Sequence, residues 1–296
     1  MRILEHEPLA RHTTWRIGGP ARYLAFPRTE GDLSELGRRI QGSGEPFFVL
    51  GNGSNVLAPD EGFPGWVIKA TDFCADVEFP GECRVRAGAG APNSRLIRLC
   101  ADRGLAGLEF LSGVPGTLGG AVAMNAGTSR DWIGSVLLEV RGWSLTAGPR
   151  IHAREGLRFS YRRNHFLARD ELVTGATLQL RAGAPEEIRA RLAEMARRRK
   201  EAQPVDLPSC GSVFRNPEGT SAWRLIEAAG LRGFRHGGAE ISAKHCNFIV
   251  NQGGATAADV RFLIRLAKSR VRETAGIELE EEVREIEPRW LGRKDE

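Results

Sequence analysis

Between Phe110 and Ser129 the chain carries no charged residue, yet it is studded with Gly113, Pro115, Gly116, Gly119, Gly120, Asn125 and Gly127. An uncharged run of this length is long enough to cross a bilayer as a helix. These glycines, the proline and the asparagine would leave such a helix kinked and poorly packed. A backbone-rich binding loop suits them better. The fold must therefore hold a small-residue segment against something that approaches its main chain closely.

The rest of the composition is that of a globular protein: 296 residues, 41% hydrophobic and 27% charged, enough for two average domains. The formal net charge is +5, and of the 42 Lys and Arg residues only five are lysine. A basic, arginine-rich surface suits nucleic acid, an acidic membrane face or a phosphorylated small molecule, and Arg favours forked recognition of phosphate or carboxylate. A genome rich in G and C would write the same preference. Five cysteines are odd in number and none forms C-x-x-C, which argues against a disulfide framework and a zinc site. Acidic residues near Met1, at Glu5 and Glu7, stand where a signal peptide would need an apolar core. A cytoplasmic protein without metal is expected.

The first two thirds predict short strands broken by glycine-rich turns. Strands are expected at Tyr23–Phe26, Phe47–Leu50, Trp66–Ile68, Cys83–Arg86, Val136–Val140 and Leu172–Leu180. Helices are expected at Glu30–Ile40, with Leu33 and Leu36 inward, and at Asn93–Arg103. The character changes at Ala182–Pro185. There follow a helix with Ile188, Leu192 and Met195 on one face and a basic cluster, Arg197 to Lys200, read as solvated. Asn247–Asn251 predicts a strand. Thr256 then caps an amphipathic helix of Val260, Leu263, Ile264, Ala267 and Val271 that Gly276 stops, and Ile277–Ile286 predicts a last strand.

Two loops carry the strongest chemical signal. Leu50 leads into Gly51-Asn52-Gly53-Ser54-Asn55, where glycine permits positive φ and successive N–H groups form an anion-binding concavity. It is neither a P-loop, lacking G-K-[ST], nor a dinucleotide fingerprint, lacking G-x-G-x-x-G. Alone it reads as a tight turn. Pro115 to Gly127 is a second such segment, open to reading as a close-packed helix start, and two of them on one strand-rich domain favour a nucleotide cofactor site. Phe159-Ser160-Tyr161-Arg162-Arg163-Asn164 sets an aromatic beside two guanidinium groups. Cys210-Gly211-Ser212-Val213-Phe214-Arg215-Asn216-Pro217 sets a serine between glycine and apolar residues, without the G-x-S-x-G of an esterase elbow.

Together these residues resemble the UDP-N-acetylenolpyruvoylglucosamine reductase family. The matching segments are His12 to Gly19, Gly51 to Asn55, Pro115 to Gly127, Tyr161-Arg162, Gly211 to Pro217, Lys244 to Asn251 and Glu282 to Arg284, in the family's order over almost the whole chain. The interval from Tyr161 to Pro204 lacks the tyrosine-bearing insertion of one branch and places the chain in the compact, type II branch.

The resemblance implies an α+β fold: an FAD-binding domain of the vanillyl-alcohol-oxidase superfamily in two subdomains, 1–65 and 66–182, and a C-terminal α+β substrate domain, 183–296. It implies an NADPH-dependent flavoenzyme that completes UDP-N-acetylmuramate for bacterial cell walls, with non-covalent FAD, NADPH and a UDP-sugar as its small-molecule partners. No nucleic acid, no membrane and a monomeric state are expected. By family position Arg162, Ser212 and Glu282 are catalytic. Arg162 would polarise the substrate carboxylate, Glu282 would donate a hydrogen bond if protonated, and Ser212 would supply the proton. Gly51, Asn52, Gly53, Ser54, Asn55, Pro115, Gly116, Gly119, Gly120, Ala123 and Asn125 would hold FAD. Tyr161, Asn216 and Lys244 would contact substrate, with Arg199 and Lys200 weaker candidates, and Cys210 and Cys246 would be packing residues. The rivals are an FAD oxidase of a hydroxyl or sugar substrate on the same fold, and a nucleic-acid binder. Against the binder stand 7% aromatics and no basic-aromatic stacking motif.

Overall fold

The computed structural model describes residues 1–128 and 130–291; Ser129, the end of the uncharged run, and residues 292–296, the end of the expected substrate domain, lie outside the described residues. Among the described residues of this α+β chain, five buried apolar clusters group into three units, each with its own main core: a first sheet, a second sheet and a C-terminal unit. The first sheet has the order Arg2–Pro8, Pro20–Phe26, Phe63–Lys69, Phe47–Leu50; the first pair is antiparallel and the others parallel. Phe47–Leu50 and Phe63–Lys69 are nearly all apolar because both faces are covered. The expected break at residue 65 falls inside the paired Phe63–Lys69 strand. The sheet itself ends after Lys69.

Helix Glu30–Ser43 begins at a Thr29–Asp32 capping box and stops at Gly44 in the left-handed conformation. Its Leu33, Leu36 and Ile40 pack on Phe47, Trp66 and Ile68 of the first sheet, and on Trp143, Leu145 and Leu172 of the second. A Cβ on Gly37 would sit 2.1 Å from the Leu145 carbonyl oxygen, so only glycine admits this approach. The second sheet is antiparallel throughout, in the order Gly148–Ala153, Leu137–Ser144, Glu171–Gln179, Arg84–Gly88, Val77–Gly81. Its core joins Val85, Val140 and Leu178 to Leu96 and Ile97 of helix Asn93–Asp102 and to Leu118 and Val122 of a short helix, Leu118–Ala123. The strand expected from Val136 starts one residue later, because Ile133–Val136 forms a helical turn.

The tail expected from residue 183 divides physically. Helix Pro185–Ala202 docks on the second unit: Ile188 packs with Ala101 and Ala106, and Ser112 Oγ donates to the Leu192 carbonyl at 3.1 Å. Of its expected apolar face only Ile188 is buried. The third core is built on the strands Ala239–Ile241 and Ile249–Asn251 and helix Ala257–Ala275. That helix carries the expected Thr256 capping box and Gly276 stop, and buries Val260, Leu263, Ile264, Ala267 and Val271. Truncating fully buried Leu263 to Ala would cost about 2–5 kcal/mol. The core also takes Trp15, Ile17 and Leu57 from the first unit. Trp15 Nε1 donates to the Ile249 carbonyl at 2.7 Å, and Asn251 Nδ2 donates to the Trp15 carbonyl at 2.9 Å.

The strand expected over Ile277–Ile286 reduces to Arg284–Glu285, pairing in parallel with Val56–Leu57. The segment crosses between cores, with Val283 in the third and Ile286 in the first, so it never runs along one sheet. All five cysteines are free thiols, Cys100, Cys210 and Cys246 buried. No helix among the described residues is long and apolar enough to cross a membrane.

Candidate active site

The first loop leaves the buried Phe47–Leu50 strand at Gly51. Its Gly53 has φ +69°, and a Cβ there would meet the His12 carbonyl oxygen at 2.2 Å, so the loop is pressed onto the turn around Thr13. The Gly53 carbonyl accepts from Thr14 N (3.0 Å) and Thr14 Oγ1 (3.2 Å), and the Gly51 carbonyl accepts from Lys69 Nζ at 2.7 Å. The N–H groups of Asn52, Gly53, Ser54 and Asn55 have no acceptor among the described residues.

The second loop is tied to the first. Ser54 Oγ donates to the Pro115 carbonyl at 3.0 Å, next to Gly116 at φ +139°, and the Gly116 and Thr117 N–H groups likewise have no acceptor among the described residues. Thr117 caps helix Leu118–Ala123 through Gly120 N, so the glycine-rich run is both a helix start and a loop. These six amides sit on two joined turns, a pattern that suits an anion.

The glycines here sort by cause. Gly119 is required by packing, since a Cβ would lie 2.9 Å from Ala89 Cβ and its N–H is bonded to the Ala89 carbonyl; its amide, expected at the cofactor, is spent inside the protein. Gly51 and Gly120 are required by nothing among the described residues. A Cβ at either would meet only Thr117 Oγ1, at 3.6 and 3.7 Å. Bare backbone that the protein itself does not need fits an extended pyrophosphate and a flat ring lying on it. A cavity of about 180 Å³ opens beside this loop, lined by Ser94, Leu111, Gly113, Val114, Pro115 and Gly116.

Asn125, also expected at the cofactor, serves as scaffold. It is buried at φ +46°, accepts from Gly134 N at 3.2 Å and donates to the Ser160 carbonyl at 3.0 Å. The Ala123 carbonyl accepts from Asn164 Nδ2 at 2.8 Å. These bonds hold the hairpin whose strands Phe159–Ser160 and Arg163–Asn164 flank Tyr161 and Arg162. Arg162 adopts φ +58°, rare for a residue with a side chain. Its Nη1 donates to the Gly127 carbonyl at 2.8 Å and its Nε to Glu282 Oε1 at 2.6 Å. Tyr161 is exposed, its ring centroid 5.1 Å from the Arg162 guanidinium.

Glu282 gathers the other segments. Its N–H donates to the Val213 carbonyl at 2.8 Å, its carbonyl accepts from Asn55 Nδ2 at 3.1 Å, and Arg284 N donates to the Asn55 carbonyl at 3.1 Å. Burial raises the Glu282 carboxyl above its ordinary range, opposed by the Arg162 and Arg215 charges. Ser212 stands beside Val213, following Gly211 at φ +76°, partly buried, its hydroxyl without a partner among the described residues. Cys210 Sγ rests 3.4 Å from the Val56 carbonyl, and burial pushes its thiol up to about 12, as befits a packing residue.

The outlying candidates divide. Asn216 is exposed, and its Oδ1 accepts from Ala222 N at the start of helix Ala222–Ala228. Lys244 is exposed and its ammonium holds the Lys200 carbonyl at the end of helix Pro185–Ala202. Arg199, expected to be solvated, turns inward. Its stem lies over Gly113, and its guanidinium is held below its ordinary range by burial and by the charge of Arg162. Arg215 adds a buried Nε without a partner among the described residues. The charges of Arg162 and Arg215 both act on Glu282, and that of Arg162 also acts on Arg199. Lys69 and Arg199 are the site residues that sequence reasoning missed or discounted. No local pattern marks the first, and a helix-end charge run hid the second.

Known proteins share this arrangement. Residues 21–145 match the model of an FAD binding domain, and residues 203–286 that of the UDP-N-acetylenolpyruvoylglucosamine reductase C-terminal domain. The UDP-N-acetylenolpyruvoylglucosamine reductase of Geotalea uraniireducens is 46% identical over 94% of this chain and 92% of its own. That of Geobacter metallireducens is 44% identical over 95% and 93%. The crystal structure of the corresponding reductase from Thermus caldophilus superimposes with a TM-score of 0.82 at 39% identity, covering 96% of this chain and 99% of that one. With 94% of the chain matched in sequence and 96% of it matched in fold, the protein belongs to the UDP-N-acetylenolpyruvoylglucosamine reductase family.

Proposed function

We propose that this chain reduces UDP-N-acetylglucosamine enolpyruvate to UDP-N-acetylmuramate with NADPH, on non-covalently bound FAD, as a cytoplasmic monomer in peptidoglycan precursor synthesis. The observation that carries this reading is the Arg162–Glu282 pair, held by Asn55 of the first glycine loop and by the Val213 carbonyl next to Ser212. The two loops would hold FAD, which when bound would supply hydride-transfer chemistry between NADPH and the enol ether. The units up to Lys69 and up to about residue 182 would hold it, and the remainder would present the substrate.

Each residue then has a separable task. Arg162 spends Nε on Glu282 and one Nη1 hydrogen on Gly127, which leaves Nη2 and the other Nη1 hydrogen. That pair makes a planar fork for the substrate carboxylate, where it stabilises the enolate charge that develops beside it. Glu282, its proton affinity raised by burial, would donate to the same charge when protonated. The Ser212 hydroxyl, which has no partner among the described residues, would deliver the proton to the adjacent carbon. An alcohol is a weak acid, so this requires close placement against a strongly basic enolate.

The test is NADPH oxidation by the purified flavoprotein with and without UDP-N-acetylglucosamine enolpyruvate. Turnover that depends on the enolpyruvyl sugar is expected. Rapid aerobic reoxidation with no need for that sugar would favour the oxidase, and a colourless protein that binds RNA the nucleic-acid reading.

A further inference from the structure

Lys69 is 7% exposed, at the end of the Phe63–Lys69 strand, beneath the first glycine loop. Its ammonium donates to the Gly51 carbonyl at 2.7 Å and to the His12 carbonyl at 3.2 Å. Among the described residues no carboxylate forms an ion pair with it; Asp72 acts only at longer range. A buried charge without a counterion is costly, and side chains placed this way have a reason to be there.

In a trans peptide the carbonyl and the following N–H point in opposite directions. Lys69 draws the Gly51 carbonyl inward, so the Asn52 N–H faces outward. Thr14 does the same to the Gly53 carbonyl through its N–H and hydroxyl, and so turns out the Ser54 N–H. The amides of the concavity are thus aimed from behind, and the element that aims one of them is itself cationic. We propose that Lys69 is a positioning residue for the pyrophosphate of FAD: it fixes the outward amide of Asn52 and supplies, through the loop, the positive charge that the pyrophosphate balances. This rests on the FAD reading given above.

The experiment is a titration of flavin-stripped protein with FAD, FMN and riboflavin, followed by flavin fluorescence, for the native chain and for Lys69→Met, Lys69→Gln and Lys69→Arg. FAD should bind Lys69→Met about tenfold or more weakly, the worth of one charge-assisted contact, while riboflavin, with no phosphate, binds as before. Lys69→Arg should recover most of the loss. An unchanged FAD affinity in Lys69→Met, or an equal loss for all three flavins, overturns the proposal, the latter because a merely structural lysine would produce it. If Lys69→Met does not fold, the same ratio in Lys69→Gln, which keeps a donor without the charge, decides. Binding of no flavin by the native chain would overturn the FAD reading itself, and this proposal with it.

Discussion

Arg162 and Glu282 lie 120 positions apart in sequence, yet Nε of one donates to Oε1 of the other at 2.6 Å, with side chains 18% and 14% exposed. The pair joins the hairpin of the second sheet unit to the segment that closes the third core. Removing one member of so buried a pair leaves the other charge uncompensated. Glu282→Ala should therefore lower stability by about 3 kcal/mol in urea denaturation.

The same pair sets a pH dependence. Burial raises the folded-state affinity of Glu282 for a proton, so the folded chain holds that proton where the unfolded chain, at 4.5, has released it. The stability this group contributes is full below 4.5 and is lost as pH rises through the folded value. Measured by urea titration at a series of pH values, the native chain should lose stability relative to Glu282→Gln on going upward from pH 4.5. A gain over that range would show that the Arg162 charge outweighs burial.

In the proposed mechanism Ser212 serves only as the proton donor. Ser212→Ala should leave flavin reduction by NADPH intact and slow reoxidation by the enolpyruvyl substrate by about 10²–10⁴-fold in stopped flow. Equal reoxidation rates in the two proteins would remove the serine from the mechanism.

Glycines with different causes should respond differently to one methyl group. Gly51→Ala and Gly120→Ala meet only Thr117 Oγ1, beyond 3.5 Å, so stability should hold within about 0.5 kcal/mol while FAD affinity falls about tenfold. Gly53→Ala combines φ +69° with an approach of 2.2 Å to the His12 carbonyl oxygen and should cost about 1–3 kcal/mol in folding. Thermal melts beside flavin titrations separate the two groups.

Burial also pushes the Lys69 ammonium down to about 8 from 10.5. Between those values the unfolded chain binds more protons than the folded one, so stability rises with pH. Flavin-free native protein should gain about 3 kcal/mol on Lys69→Met between pH 8 and pH 10.5. A flat difference across that range would mean that the ammonium is better solvated than its burial implies.

Much of this was legible in the sequence where local rules dominate. Thr256 and Gly276 bound their helix because capping is decided within a few residues. The Gly51–Asn55 and Pro115–Gly127 segments stand out because glycine is concentrated there, although contacts within the chain account for Gly53 and Gly119. Roles set by distant contact were not legible. Lys69 follows an apolar run and looks like the end of a strand; only its neighbours across the sheet show two carbonyls above it. Arg199 sits in a run of four basic residues, and which of them turns inward depends on Gly113. Asn125 reads as part of a ligand loop, but its amide is taken by Gly134 and Ser160. Residue 65, the expected subdomain break, lies inside the Phe63–Lys69 strand, because a parallel strand depends on partners remote in sequence, which composition does not record.

Trp15 is made early in synthesis, and the core that receives it is assembled from Cys210 onward. Until Ile249 and Leu263 have emerged, that indole has no home, and the glycine loop resting on the neighbouring Thr14 has an unsettled floor. Loop closures of this span slow folding and leave apolar surface waiting. The first sheet unit should thus mature last rather than first, and the nascent chain should acquire its flavin only after the far end of the polypeptide has clasped the beginning.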